Sequence, residues 1–361
     1  MILKKNTRMK YFIVFMLSVF FLIDDAEAQN NARYSPEFTP FSQFYFQPSF
    51  YNPAYVGNEY SPTFWASSRV QNSLQDRSRS FNGTYQIAME RAPINWGFIM
   101  VYQDFNTLTG SPDVVTVSEL RNYRAFQGGI QANFDFDIGE KGVGKVGLAA
   151  SMLNFKNADT DLAVSVENPR TWVPSVDLGV LFNYDHFHLG VGLINANNPS
   201  FDFSVQNTGS GGLGTGGGGT NLGSTPSFRR SMYINALYRI NVTETLMLEP
   251  NVLIRQADGT SISINSAGGG VELGGLGIDL ALVLNYYNFI FAGYSYKPQI
   301  SSNQGFVYNN FGSSVMAGIR FNETYHISFS WDLRRENVNE NTNQFEIGIG
   351  AYLFGEYLFA E

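Results

Sequence analysis

This 361-residue chain has only three histidines and no cysteine. His186 and His188 are two residues apart, a spacing that puts both on one face of a strand. A metal would want a third ligand nearby, and the sequence offers none. His326 and Asp332 share the face of another strand and could form an acid–base pair. A hydrolase would also need a nucleophile, or a water activated by a second charged pair, and no such group stands beside them. "GVGKVG" (Gly142–Gly147) has the spacing of a dinucleotide-binding turn, which requires a following helix. Here Val146, Leu148, Ala150 and Met152 alternate as in a strand instead. The glycines therefore read as a hairpin turn and a tight bend. We expect no enzyme activity, no cofactor and no bound metal.

The elements carrying these residues are strands. In "FQGGIQANFDFDI" (126–138), Phe126, Ile130, Ala132, Phe134, Phe136 and Ile138 fall on one face, and Gln127, Gln131, Asn133, Asp135 and Asp137 on the other. The side-chain period of a strand is two, and 324–333 and 344–353 keep it as well. Most of these runs exceed the ~5–6 residues of a globular strand. They suit the ~9–11 residues with which a tilted strand crosses a bilayer.

Fourteen strands can be laid out between residues 63 and 354. Connectors after even strands then run two to four residues, and those after odd strands eight to thirty-four. Short turns on one side and long loops on the other mark an outer-membrane barrel. The predicted fold is all-β: one transmembrane antiparallel β-barrel occupying 61–361. An even strand count puts both termini on the short-turn, periplasmic side.

Composition agrees. Charged residues are 15%, against ~25% in an ordinary soluble domain. Aromatics are also 15%, with 31 Phe and 20 Tyr. The mature chain has no apolar run of helix-spanning length, so closed strands are the remaining way to cross a membrane. A formal charge of −8 argues against nucleic acid as a partner; membrane lipid is the expected surrounding. Without cysteine there is no disulfide, no thiolate metal site and no lipoprotein anchor.

Residues 1–28 have the order of a secretory signal peptide: basic Lys4, Lys5, Arg8 and Lys10, the apolar "YFIVFMLSVFFLI", then "AEA" as cleavage site. Cleavage is expected after Ala28. Residues 29–60 form a lead rich in aromatics and proline. In its "YNPAYVG", Asn52 can cap a helical turn with Pro53 in the first position. Gly57 can end that turn in a left-handed conformation. The turn, with Ala54 and Tyr55 at its centre, would steer the chain into the first strand. The rings before it need shelter, and the nearest is the barrel's periplasmic mouth or lumen. The lumen-facing polar residues are Gln131, Asn133, Asp135, Asp137, Glu249, Asn251, Arg255, His326, Asp332 and Glu346. They read as a hydrogen-bonded interior; the functional alternative is a selective pore.

The Q-x-x-F…NPA-[YF]-x-G pattern after a signal peptide resembles the PorP/SprF family of type IX secretion system outer-membrane proteins. "SRVQ" (68–71), 96–110, 173–201, 238–256 and "FEIGIGAYLF" (345–354) are similar in the same order. The resemblance, nearest to SprF-like members, implies a barrel that works with type IX components. Its implied partner is a large secreted surface protein, such as a gliding adhesin, exported or held at the surface. The alternative is a FadL-like transporter, or a porin, for small hydrophobic or polar solutes. Such transporters also have fourteen strands and can carry an NPA turn, but usually with a longer N-terminal hatch.

Overall fold

The computed structural model describes residues 43–58, 63–72, 76–89, 92–107, 122–157, 171–199, 230–257, 262–265, 270–273, 276–297, 312–321, 324–336 and 340–352. The signal region lies outside them. The wall opens with β1 (Phe64–Asn72), β2 (Asp76–Ile87), β3 (Ile94–Thr107), β4 (Asn122–Asp137), β5 (Gly142–Asn157), β6 (Thr171–Tyr184) and β7 (Phe187–Ile194). It continues with β8 (Ser231–Tyr238), β9 (Ile240–Thr243) and β10 (Leu246–Ala257). It ends with β13 (Leu276–Tyr286), β14 (Ile290–Lys297), β15 (Gly312–Phe321), β16 (Tyr325–Glu336) and β17 (Glu340–Ala351). β8 and β9 are one wall strand broken at Arg239, which gives the fourteen expected. A separate hairpin, β11 (Ile262–Asn265) and β12 (Gly270–Leu273), sits in the connector between β10 and β13.

Every neighbouring pair is antiparallel, β10 pairs with β13 across the hairpin, and β17 closes on β1. Among the described residues every wall strand has a strand partner on both sides, which is what hydrocarbon demands of backbone amides and carbonyls. The period-two pattern places side chains as lipid requires. On β16, Tyr325, Ile327, Phe329 and Trp331 are exposed, and His326, Ser328, Ser330 and Asp332 are buried. On β17, Phe345, Ile347 and Ile349 point out while Gln344 and Glu346 point in. Aromatic rims flank this outer band. Tyr286, Tyr287, Phe289, Phe321 and Tyr325 cluster at the short-turn end, and Tyr102, Phe126, Trp172, Trp331 and Phe345 towards the other.

The connectors sort by side, with a refinement at the seam. β1 and β2, like β16 and β17, extend farther than their alternation suggests, so two loop-side connectors shrink to three residues each. Cross-strand hydrogen bonding carries these strands past the apolar band.

Candidate functional site

The site is the lumen. Its occupant is the stretch Gln43–Asn58, which enters as three one-turn 3-10 helices: Phe44–Phe46, Pro48–Phe50 and Pro53–Tyr55. Pro48 and Pro53 open their turns, where a missing N–H costs nothing. Asn52 is extended (φ −158°) and its Oδ1 accepts from the Ala54 N–H at 2.9 Å. Gly57 has φ +63°, a conformation that glycine adopts without steric cost.

The wall receives this segment through neutral amides. Asn133 donates to the carbonyls of Ala54 (2.8 Å) and Val56, and Gln131 to that of Ser49 (2.9 Å). In return Asn52 donates to the Val180 carbonyl at 2.9 Å, and the Gly57 N–H donates to Gln86 Oε1 at 2.8 Å. Asn235 donates to the Tyr55 hydroxyl at 2.6 Å. Burial pushes the Tyr55 pKa well above its ordinary value, so the hydroxyl keeps its proton. At the other end, Gln43 donates to the Glu346 carbonyl at 3.4 Å and accepts from Ser328.

Two ring clusters complete the seating. Phe46 packs on Trp65, Phe291 and His326, with centroids 5.3, 5.0 and 4.6 Å away. Phe44 and Tyr51 pack with Leu253, Ala281 and Tyr233. Together with the bonds from β4 and β6, the Phe46 cluster puts the lead in contact with opposite sides of the barrel.

Glycines form the floor beneath the Asn-Pro-Ala turn. Gly147 on β5 lies opposite Gly179 on β6, and Gly179 lies opposite Gly192 on β7. A Cβ at Gly147 would come 2.2 Å from the Ala54 nitrogen. At Gly179 it would come 2.0 Å from Asn52 Oδ1, and at Gly192 1.9 Å from the Tyr51 carbonyl oxygen. Gly190 stands beside the row, against Asn52 and the Tyr55 ring. This cross-strand row admits the lead's backbone where any side chain would exclude it. The tight bend expected at Gly147 thus has another reason, docking of the lead. The sequence reading missed Gly179, Gly190 and Gly192. Their one visible signal is that they share the parity of lumen-facing Asp177 and His188.

The expected polar positions divide. Gln131 and Asn133 bind the lead. His326 is wedged among Phe46, Trp65 and Phe291. Asn251 lines a narrow cavity with Phe44, Tyr51 and Leu253, with room for water and not for a solute. Glu249 pairs with Arg239 at 2.7 Å and accepts from Asn285 at 2.7 Å. Asp135 pairs with Lys145 at 2.9 Å and accepts from Asn95 at 3.0 Å. Asp332 pairs with Arg69 at 3.0 Å. Arg255 is buried on β10 beside Gly277, and Asp137 is exposed at the end of β4. Arg69 is the other residue whose role the sequence does not show: it also donates to Gln344, tying β1 to β16 and β17.

His186 lies exposed in the turn between β6 and β7, not on a strand with His188. His188 is buried, 2.7 Å from Asn183 Oδ1. Among the described residues no three His, Asp or Glu side chains converge as metal ligands.

Residues 35–351 match the family described as type IX secretion system membrane protein PorP/SprF. No curated protein matches the chain. Solved barrels are similar at a distance. CdiB from Acinetobacter baumannii is 9% identical with a TM-score of 0.43, covering 80% of this chain and 60% of that one. The chain thus spans three-fifths of CdiB's length. A FadL homologue from Pseudomonas aeruginosa is 10% identical, with a TM-score of 0.48 over 84% of this chain and 93% of that one. The toluene transporter TbuX from Ralstonia pickettii is 9% identical, with a TM-score of 0.45 over 82% and 90%. Matched over nearly its whole length and folded as a closed fourteen-strand barrel, the chain belongs to the PorP/SprF family of type IX secretion system membrane proteins and is an outer-membrane protein.

Proposed function

We propose that this barrel acts with type IX secretion components as a sealed outer-membrane platform for a large secreted surface protein, such as a gliding adhesin. It would help export that protein or hold it at the surface. Residues 1–28 would be removed on export, and both termini would face the periplasm. The observation that carries the reading is the occupied lumen. A solute channel needs a continuous polar path, whereas here the Asn52–Gly57 turn and its aromatic neighbours lie across the interior. The Asn133, Gln131 and Gln86 amides are committed to holding them. The long connectors on the opposite side are then the surface offered to the partner.

The test has two arms. Affinity purification from the outer membrane should recover a large surface protein with the barrel. The purified barrel in planar bilayers should be electrically quiet. A steadily conducting parent, or solute uptake into liposomes without any co-purifying surface protein, would overturn the platform and favour a transporter.

A further inference from the structure

We infer that the glycine-floored wall of β5, β6 and β7 is a peptide-binding groove, selective for a capped Asn-Pro turn, and that the lead occupies it as an exchangeable ligand. This rests on the sealed-lumen reading and adds that the seal is reversible. The groove consists of Gly147, Gly179 and Gly192 in register, Gly190 beside them, and Asn133 and Gln131 on the neighbouring strand.

Three features separate a ligand from a piece of wall. Among its described residues (43–58) the lead adds no strand and no ladder hydrogen bond; β1 to β17 close the ring without it. Wall and lead meet through hydrogen bonds between amides, hydroxyls and backbone carbonyls, which is how proteins hold peptides in grooves. The turn also carries its own cap, because Asn52 Oδ1 bonds the Ala54 N–H and leaves Nδ2 for the Val180 carbonyl. A segment that brings its own conformation loses less entropy on binding.

The groove also opens outward. Gly57 and Asn58, where the lead leaves it, line a broad recess at the short-turn mouth, together with Met89, Lys141 and His186. A second peptide carrying the same turn has a way in when the lead swings out about Gly57. The tether to β1 is short, so the lead competes at an effective concentration on the order of millimolar.

The experiment uses the full chain. Because the protein lacks cysteine, a single Ser49→Cys places a thiol on a fully buried lead position with little change in volume. The folded, heat-modifiable protein in detergent is exposed to a maleimide, with or without millimolar synthetic peptide of residues 43–58. Slow labelling that rises about threefold or more with the peptide is expected, since the peptide captures the vacated groove. A scrambled peptide, or one with Asn52→Ala, should do less. Hydrogen exchange of residues 43–58 in the unsubstituted protein gives the same readout without a variant, and should accelerate with the peptide. Labelling and exchange that do not respond to the peptide would overturn the inference. That result would leave the sealed platform standing, because an electrically quiet parent tests it separately.

Discussion

A methyl group is enough to collide with the lead where it crosses the lumen. At Gly192 a Cβ would stand 1.9 Å from the Tyr51 carbonyl oxygen, an atom fixed in the lead's backbone. Gly192→Ala should therefore unseat the lead, adding conductance steps in planar bilayers and costing roughly 1–3 kcal/mol of stability. Gly83 faces outward with its nearest atom at 3.7 Å, so Gly83→Ala should stay quiet and within about 0.5 kcal/mol of the parent. Equal conductance from the two variants would refute the seating. Arg69 makes a second residue-level case. Its pairing with Asp332 is buried, and removing one partner leaves the other buried charge without that ion pair. Arg69→Leu should cost ~3–5 kcal/mol in denaturant titrations of the purified barrel. Adding Asp332→Leu should recover much of that loss; a double variant as weak as the single one would contradict the pairing.

Strands carry the membrane argument, and depth is its variable. Ile347 on β17 faces lipid opposite Phe329, between the Tyr325 rim and the Trp331–Phe345 rim. Val242 on β9 also faces out, but two residues from the turn at Glu244–Thr245. Arginine should cost ~2–4 kcal/mol at Ile347 and ~0–1 at Val242. The shift of the heat-modifiable band with denaturant would measure both, and equal penalties would mean that the membrane level is misplaced. One element departs from simple strand pairing. β6 outlasts β7, and an asparagine-rich turn takes over where β7 stops. The Ala196 N–H donates to the Val176 carbonyl at 2.8 Å, and Asn197 bonds both Val176 and Pro174. Pro174 brings no N–H to that edge, so the turn and the proline together leave fewer unmet groups there.

Seen whole, the molecule is a ring that closes by itself and a segment that fills it. Deleting Gln29–Tyr51 should leave a heat-modifiable barrel with raised conductance, because strand-to-strand bonds do not pass through the lead. A deletion that cannot fold would make the lead part of the wall. The sequence alone determined the strand period, the count of fourteen and, away from the β1–β2 and β16–β17 connectors, the sorting of connectors by side. These follow from local rules: backbone groups must pair within hydrocarbon, and side chains alternate between lipid and lumen. It also carried the capped turn, since Asn52, Pro53 and Gly57 act on immediate neighbours. What the turn rests on was left to the tertiary structure. Gly147, Gly179 and Gly192 come from three strands, Phe46 meets His326, and Arg69 meets Asp332, all across separations that no periodicity encodes. Register between strands and closure of β17 on β1 bring these residues together, and both are settled by the pairing of the whole ring.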